Sequence, residues 1–405
     1  MVRFLHLADL HLGMRITRFE EAACKQVLEA RFMALENARA KAKEHGVDFV
    51  LIAGDLFDDH TVSTTVAQRP FALFEGKSVD CPVYIIPGNH DPLTPGGVWD
   101  RDPWHREQPT RHLKLLRVPE PVKVPGLPVT IFPCPLRNRN STDDPTAWIA
   151  AHPRESGDDT IRIGLAHGSL NMLPNLPLDD HLIRRDAADA LGLDYLALGH
   201  WHKELRVRSR DGHERTAYSG THEPLSFPDS KATASTGWAP CSGDRDVFEG
   251  EGRGKALLVE IEEAGAPPVI QALEVGSLTW CSEVCDVTLR PIGEITREYA
   301  GREKSKVTLL RLKLTGVLEP RHFARLREVV DLVEGRYHVG SRVHTDDVKI
   351  APSAEDLDRL VGDGVLSRLL ERLRDEAASS DESVRGVADH ALKRLFEIVC
   401  SEGAP

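Results

Sequence analysis

The sequence predicts an α/β fold, an α/β sandwich in which helices cover the faces of the sheets. Two observations lead to this prediction. Short runs rich in Val, Ile, Leu and Phe recur through the first two hundred residues, and a long helical stretch separates the first two of them. Polar motifs follow the ends of these runs, which is where open α/β sheets place their ligands. A small α+β module and C-terminal helices are expected to follow this domain.

The strands are predicted from apolar runs that are too short to form helices. They are Arg3–Ala8, Asp48–Ala53, Val83–Pro87, Val129–Pro133, Ile161–Ala166 and Asp194–Leu198. Runs of this kind are typical of strands that are buried on both faces. A helix is predicted over Phe19–His45, because alanine and valine recur there at helical spacing and Gly46 provides a C-cap signal.

The composition changes after the sixth strand. A stretch rich in Ser, Gly, Pro and Asp predicts a surface insertion near residues 228–252, and a strand at Ala256–Ile261 is expected to close the first domain. Alternating side chains then predict a half-buried strand at Val307–Thr315. A helix over Glu319–Glu334 and a strand region over Tyr337–Ile350 complete a small α+β module.

These elements predict three parts of the chain, at residues 1–275, 300–352 and 353–405. The last part contains two apolar stripes at helical spacing, one beginning at Val365 and one at Val384. Such helices are either packed on their own domain or held ready for a partner.

Composition limits the class of protein. With 405 residues, 41% hydrophobic and 28% charged, the chain is typical of a soluble globular protein with two or three domains. It has no apolar run of the roughly 18 residues that a membrane span requires. Because a polar motif begins at Asp9, we expect no cleavable signal peptide. Five of the seven cysteines are scattered, and Cys281 and Cys285 form the only close pair, with no second pair to complete a zinc site. This usage favours a reduced, cytoplasmic compartment.

The net charge of the chain affects whether it can bind a nucleic acid. The formal net charge of −12 argues mildly against a nucleic-acid binder, since that affinity is dominated by cationic contacts. Residues 301–350, however, contain eleven Lys and Arg against seven Asp and Glu, a local excess of four positive charges. Bound divalent ions would add further positive charge. The global charge therefore weakens a DNA hypothesis without removing it.

Five short motifs supply metal-binding side chains at the strand ends. They are Asp9-Leu10-His11, Gly54-Asp55, Gly88-Asn89-His90-Asp91, His167-Gly168 and Gly199-His200-Trp201-His202. Carboxylate, amide and imidazole ligands suit Mn, Fe or Zn. Each motif alone is also compatible with an ordinary turn, but five in order at strand ends favour one shared site. Asp55 could bridge two ions roughly 3.5–4 Å apart, the spacing used for in-line phosphoryl displacement.

The third motif also predicts a catalytic pair. His90 adjoins Asn89, and adjacent side chains diverge, so His90 is better placed as a proton donor than as a ligand. Asp91 could orient and charge its imidazole, as carboxylates do for catalytic histidines.

A loop after this motif offers candidate substrate contacts. Arg101, Trp104 and Arg106 are basic or aromatic side chains that could pair with or stack on a nucleic acid, and His60 lies near the expected mouth. A solvated loop is the alternative for these residues. His6 lies within the first strand and is expected to be structural.

These motifs resemble the calcineurin-like metallophosphoesterase superfamily. The residues over 4–13, 53–58 and 86–91 are similar, more narrowly, to the nuclease subunit of the bacterial SbcC–SbcD complex and its YhaO-like relatives. Tyr218-Ser219-Gly220 and the closing strand match the same pattern. The resemblance covers residues 1–262 well, and the module at 300–350 looks more faintly like the family's capping domain.

The resemblance implies a function and a ligand set. One ion would be held by Asp9, His11, Asp55 and His202, and the other by Asp55, Asn89, His167 and His200. His90 would be the catalytic imidazole, and Mn²⁺ the preferred metal. The family forms homodimers, acts on DNA ends and hairpins, and works with a coiled-coil ATPase, so the C-terminal helices here would be the docking segment for an SbcC-type partner.

The sequence departs from the pattern in two places. Some relatives have a histidine where this chain has Asp58, which leaves open whether Asp58 or His60 replaces a second catalytic histidine. The insertion near residues 228–252 has no counterpart in the pattern. The resulting prediction is a divalent-metal-dependent DNA nuclease in which a metal-bound hydroxide attacks phosphorus, with a repair or end-processing role. A small-molecule phosphodiesterase or phosphatase of the same fold, or a non-catalytic scaffold subunit, are the alternatives.

Overall fold

A computed structural model describes most of the chain. The described residues are 1–76, 81–105, 111–172, 176–228, 239–240, 247–249, 254–318, 322–350, 365–381, 384–388 and 390–392. They form two compact units, the first within Met1–Ser226 and Thr233–Thr279, and the second within Phe227–Ala232 and Trp280–Pro405.

The first unit contains a six-stranded sheet. Its strands, in spatial order, are β14 (Val269–Glu274), β13 (Lys255–Ile261), β1 (Val2–Leu7), β2 (Phe49–Ala53), β3 (Val83–Ile86) and β4 (Leu113–Leu115). Strands β1 to β4 are parallel, whereas β13 pairs antiparallel with both β1 and β14. The carboxyl ends of β1, β2 and β3 therefore lie along one edge of this sheet.

The same unit contains an eight-stranded sheet. In spatial order it consists of β11 (Ala239–Pro240), β12 (Val247–Glu249), β9 (Leu205–Arg208), β10 (Glu214–Tyr218), β8 (Tyr195–Gly199), β7 (Ile161–His167), β6 (Val129–Pro133) and β5 (Val122–Lys123). Strands β6, β7, β8 and β10 are parallel. The other pairings are antiparallel.

The two sheets pack face to face. Phe4 and Phe49 of the first sheet share a buried cluster with Ile163 and Tyr195 of the second. Helices α1 (Glu21–Glu44) and α2 (Thr64–Glu75) cover the outer face of the first sheet. The short α3 (Ala187–Ala190) lies in the cluster on the outer face of the second sheet. This arrangement is the predicted α/β sandwich.

Helix α1 shows why the helix prediction is correct. Its buried positions include Ala23, Val27, Ala30, Ala34 and Ala38, which are three or four residues apart and so lie on one face of the helix. Small side chains on that face let the helix approach the sheet closely. The six strand predictions in the first two hundred residues are also confirmed, with ends that differ by at most one residue.

The second unit contains a three-stranded sheet in the order β15 (Thr279–Asp286), β16 (Thr308–Leu318) and β17 (Arg342–Ile350). Helices α4 (Ile292–Gly301) and α5 (Phe323–Arg336) contribute Ile295 and Val333 to its core. The predicted strand, helix and strand of the α+β module are therefore present.

The tail contains α6 (Val365–Ala377), which corresponds to the first predicted apolar stripe. Of the second stripe, residues 384–388 and 390–392 are helical, and the remainder lies outside the described residues, as does most of the 228–252 insertion. Among the described residues, no helix combines the length and apolar character needed to cross a bilayer.

Candidate metal centre

The ends of β1, β2 and β8 carry four candidate ligands on unusual backbone. Asp9, His11, Asp55 and His200 have positive φ angles of 54°, 45°, 52° and 107°. A left-handed conformation costs a residue other than glycine on the order of 1–3 kcal/mol, and such residues concentrate at functional sites. Backbone hydrogen bonds hold the two turns after β1 and β2 side by side, from His11 N to Asp55 O (3.0 Å) and from Asp9 N to Gly54 O (3.2 Å).

Two glycines make room for this close approach. A Cβ atom on Gly54, whose φ is 87°, would lie 2.3 Å from His167 Nδ1. A Cβ atom on Gly88 would lie 2.2 Å from Asp55 Oδ1. Any side chain at either position would therefore displace a candidate ligand, which explains the glycine before Asp55 and before Asn89.

One half of the centre is formed by His11 and His202 with two carboxylates. The Nε2 atoms of the two rings are 3.0 Å apart. Asp55 Oδ2 is 3.7 Å from His11 Nε2. Asp9 has one ligand atom within 4.8 Å of those of His11 and His202. Its Oδ1 accepts a hydrogen bond from His200 N (2.9 Å), whereas its buried Oδ2 has no hydrogen-bond partner.

The other half is formed around Asn89. Its Oδ1 lies 2.9 Å from His167 Nε2 and 3.2 Å from His200 Nδ1. Asp55 Oδ2 is 3.4 Å from His167 Nε2. The same Asp55 oxygen thus approaches a ring nitrogen in each half, which is the position that a bridging carboxylate requires.

Three of the imidazoles are anchored through their other ring nitrogen. His11 Nδ1 contacts Asp58 Oδ1 (3.1 Å), His167 Nδ1 contacts Ala53 O (2.8 Å), and His200 Nε2 contacts Asp180 Oδ1 (3.1 Å). These oxygens can only accept, so each holds a proton on the anchored nitrogen and leaves the other facing the centre. Metal-ligating histidines are usually oriented in this way.

The donor set fits a pair of divalent cations. Two carboxylates, one amide and four imidazoles converge, which suits Mn, Fe or Zn. The partnerless buried Oδ2 of Asp9 points to a missing positive partner, because a buried carboxylate oxygen is costly unless it is paired. The residues present therefore fit the metal ions that the motifs imply.

Burial and neighbouring charges set the protonation states that metal binding needs. Burial, reinforced by nearby imidazoles, lowers the pKa of His200 to about 4 and that of His202 to about 3. These rings are neutral at pH 7 and keep a lone pair for a metal. Burial opposes the charge on Asp55, but His167 and the other imidazoles outweigh it, so the pKa of Asp55 is lowered and it stays ionised.

His167 and Asp9 behave differently. Burial acts to lower the pKa of His167, but Asp55 outweighs this and raises it to about 9. Burial raises the pKa of Asp9 to about 8. Without metal, both groups therefore hold protons at pH 7, and a cation that binds them would release these protons.

His90 lies beside the first half of the centre. Its ring is 4.8 Å from that of His11 and its side chain is 29% exposed. The backbone N of His90 donates to Asp55 Oδ1 (2.9 Å), and its Nδ1 donates to the carbonyl oxygen of Asp58 (2.8 Å). The proton on Nδ1 is therefore fixed, and Nε2 is the nitrogen that can gain and lose one.

Asp91 does not have the predicted role. Its side chain is fully buried, and its two carboxylate oxygens accept from Gly88 N (2.7 Å) and Phe57 N (2.9 Å). It stabilises the turn that contains Asn89 instead of orienting the imidazole of His90. Asp58 takes that position, because its carbonyl binds His90 and its carboxylate binds His11.

The predicted substrate contacts are largely structural. His60 Nε2 is 2.9 Å from Thr94 Oγ1, and Arg101 donates to the carbonyl oxygens of Val62 and His60. Trp104 is 5% exposed and packs in the core, so it is not available to stack on a substrate, which corrects the prediction. Arg106 lies outside the described residues.

The buried His6 has the expected structural role. Its Nε2 donates to Leu198 O (3.1 Å), so Nδ1 accepts from the hydroxyl of Tyr195 (3.0 Å). These bonds join β1 of the first sheet to β8 of the second.

Sequence reasoning missed Asp180 and Arg31. Asp180 lies in a loop with no periodic pattern, so no local signal marks it. Arg31 is 1% exposed, and its Nε donates to the carbonyl oxygen of Leu10, between two candidate ligands (2.9 Å). The sequence did offer a signal for Arg31, because it is a charged residue on the face of α1 that is otherwise buried.

Residues 2–204 match the calcineurin-like phosphoesterase family. The chain belongs to this family. The matched region contains all seven candidate ligands. The family resemblance drawn from the motifs is therefore confirmed.

Curated relatives are similar over the same region. The chain is 31% identical over 229 residues to the uncharacterized metallophosphoesterase YhaO of Bacillus subtilis, covering 54% of this chain and 52% of that protein. It is 26% identical over 223 residues to the DNA double-strand break repair protein Mre11 of Methanocaldococcus jannaschii, covering 54% and 56%. With Mre11 of Saccharolobus solfataricus the identity is 28% over 214 residues, covering 52% of each chain. The chain spans about half the length of the curated relatives it matches.

A solved structure described as GAP50, the anchor in the inner membrane complex of Plasmodium, covers 68% of this chain and 84% of that chain. The sequence identity between the two chains is 13% and the TM-score is 0.39.

Proposed function

We propose that this chain is a divalent-metal-dependent phosphodiesterase that hydrolyses DNA, and that it acts as the nuclease subunit of a DNA repair or end-processing complex. One observation carries the proposal: seven side chains from the ends of strands in two sheets converge, with Asp55 between the two halves, and they can hold two cations. A phosphate ester is the substrate class that such a pair serves best, because two cations can act on both the attacking and the leaving oxygen.

The chemistry divides between the ions and the chain. When bound, a pair of divalent ions supplies Lewis-acid polarisation of the phosphoryl group and activation of water. The chain places the phosphate between the two halves of the centre. His90, with Nδ1 held by Asp58 O, uses Nε2 to give a proton to the leaving oxygen.

Three observations support DNA as the substrate. Relatives that match the chain are named as DNA double-strand break repair proteins. Arg137 and Arg139 are exposed on a loop that is anchored close to the centre at both of its ends. Leu136 O accepts from Leu93 N (2.8 Å), two residues after Asp91, and Ser141 O accepts from His181 N (3.1 Å), next to Asp180. The local positive charge of residues 301–350 adds cationic surface to the second unit.

A small-molecule phosphodiesterase is the second candidate. The net charge of −12 favours it, because a long polyanion is repelled by an acidic protein. A scaffold subunit with structural metals is the third, but the complete ligand set disfavours it.

Comparing two substrates separates these candidates. We expect turnover of a labelled DNA duplex with Mn²⁺ to exceed that of bis(p-nitrophenyl) phosphate at low substrate concentration. Replacing Arg137 and Arg139 together by serine should raise KM for DNA several-fold, make its salt dependence shallower, and leave the chromogenic substrate unaffected. Lys123→Ser removes an exposed charge elsewhere in the first unit and serves as the control. Turnover of only the chromogenic ester would favour the second candidate, and no turnover of either would favour the third.

The finer parts of the proposal concern metal and partners. We propose Mn²⁺ as the physiological ion, a cytoplasmic homodimer, and an SbcC-type coiled-coil ATPase that docks on the C-terminal helices. Helix α6 supports the docking site, because Leu370 is buried while its neighbour Leu369 is 41% exposed. The docking site is tested by measuring how much of such an ATPase co-purifies with the full chain and with its Leu369→Glu variant.

A further inference from the structure

We propose that Asp180 is a positioning residue that sets the affinity for one of the two ions, the one assigned to Asn89, His167 and His200. The inference rests on the proposed two-metal function and deepens it. Its carboxylate oxygen Oδ1 lies 3.1 Å from His200 Nε2. The Asp180 side chain is 23% exposed and that of His200 is 17% exposed, so both are largely shielded from water.

The second carboxylate oxygen of Asp180 is held as well. Ser169, which is fully buried, donates its hydroxyl proton to Asp180 Oδ2. The Ser169 oxygen in turn accepts from Trp201 Nε1 (2.8 Å). A chain of hydrogen bonds thus runs from Trp201 through Ser169 and Asp180 to His200.

The start of this chain is fixed in the fold. The ring of Trp201 stacks on that of Tyr218, with centroids 5.2 Å apart and an interplanar angle of 13°. The hydroxyl of Tyr218 donates to Gly168 O (2.7 Å) and accepts from Leu170 N (2.8 Å). The carboxylate of Asp180 therefore has little freedom to turn away from His200.

The contact determines which nitrogen of His200 faces the centre. A carboxylate only accepts, so His200 Nε2 carries the proton and the lone pair is on Nδ1, 3.2 Å from Asn89 Oδ1. Without Asp180, the neutral ring could place its proton on Nδ1 instead, which would block metal binding. The other half of the centre has a separate anchor, since Asp58 holds His11.

The effect should therefore be confined to one ion. Loss of an outer carboxylate that orients a ligating histidine typically reduces metal affinity by about 10- to 100-fold. For Asp180→Ala we expect a loss of this size for the ion held by His200, with the other ion bound as in the wild type.

Titration of the metal-free full chain with Mn²⁺, followed by calorimetry and electron paramagnetic resonance, tests the proposal. Wild type and the control Asp179→Ala should bind two ions, because Asp179 is exposed and only its backbone is used. Asp180→Ala should bind one ion normally and one weakly. Asp180→Asn, which keeps an acceptor oxygen, should recover part of the affinity. Unchanged affinity for both ions, or equal loss of both, would overturn the proposal.

A second readout does not depend on metal. In metal-free protein with ¹⁵N-labelled histidine, NMR should report a proton on Nε2 of His200 in the wild type and a mixture of tautomers in Asp180→Ala.

If circular dichroism shows that Asp180→Ala is unfolded, Ser169→Ala provides the test. We expect this variant to bind one of the two ions with a few-fold lower affinity. Wild-type affinity for both ions in Ser169→Ala would count against the proposal. Because these readouts need no substrate, a failure to hydrolyse DNA would reject the proposed function while leaving this inference standing.

Discussion

The Nε2 atoms of His11 and His202 face each other at 3.0 Å, although 191 residues separate them in sequence. His11 follows β1 of one sheet and His202 follows β8 of the other. The candidate centre thus forms only when both sheets are folded and packed together. Interactions that hold either turn in place should affect the centre without touching an ion.

Asp55 is expected to be the residue on which both ions depend. Replacing it by alanine removes the one oxygen that approaches His11 and His167 together, so both ions should be lost. Elemental analysis of the desalted protein measures the metal content. Asp159→Ala, at an exposed carboxylate in the same unit, is the control. An Asp55→Ala protein that retained two ions would reject the bridging role.

His90→Ala should separate turnover from metal binding. Because Nε2 of His90 is assigned to proton transfer and not to coordination, we expect two ions to remain and turnover to fall about 10²- to 10⁴-fold. Metal content and steady-state kinetics on a phosphodiester provide the two readouts. The exposed His105 offers a control in His105→Ala. Parallel losses of metal and turnover would argue against the acid role.

Arg31 should support the turn between two ligands. It binds the carbonyl oxygens of Leu10 and Glu223 from a buried position, so Arg31→Met leaves these groups unsatisfied and should cost about 2–5 kcal/mol of unfolding free energy. Metal affinity should fall as well, since Leu10 lies between two candidate ligands.

Urea unfolding and Mn²⁺ titration measure these effects of Arg31→Met. Arg69→Met removes a half-buried arginine from the same side of the sheet, where the partly exposed pair with Glu29 is worth less than about 1 kcal/mol. Equal effects of the two variants would contradict the assignment.

His6 should make the metal-free protein sensitive to acid. Burial lowers its pKa to about 3, below the value of 6.5 in the unfolded chain. The unfolded chain therefore binds the proton more readily, and stability is lost as the pH falls from 6.5 towards 3. Between pH 7.5 and 5 this one group should cost about 2 kcal/mol.

A His6→Gln variant tests this in the presence of a chelator. Its unfolding free energy should fall less between the two pH values than that of the wild type, even if it is less stable at pH 7.5. Urea titrations at both pH values give the comparison. Parallel pH dependence in the two proteins would show that His6 titrates normally.

The sequence was informative where a local pattern reports on structure. The strand runs place Asp9, Asp55 and His200 at strand ends, and the structure brings these side chains together with the other four predicted ligands. Asp180 and Arg31 were not found, because their roles depend on loops and helices that meet only in the folded chain.

Asp91 and Trp104 were misjudged for a related reason. In sequence, Asp91 adjoins a catalytic candidate and Trp104 lies in an apparently exposed basic loop. In the structure, backbone N–H groups from two turns donate to the carboxylate of Asp91, and the ring of Trp104 packs against Phe57 and Trp99. Neither set of contacts can be recognised from the sequence alone.

The positive φ angles of Asp9, His11, Asp55 and His200 also have a consequence for protein engineering. Glycine adopts this backbone without strain, so replacing any of the four by glycine would relieve local strain while removing a ligand. A screen for heat-resistant variants that measured only the melting temperature would therefore tend to select variants that have lost the metal centre. Such a screen should count bound metal alongside the melting temperature.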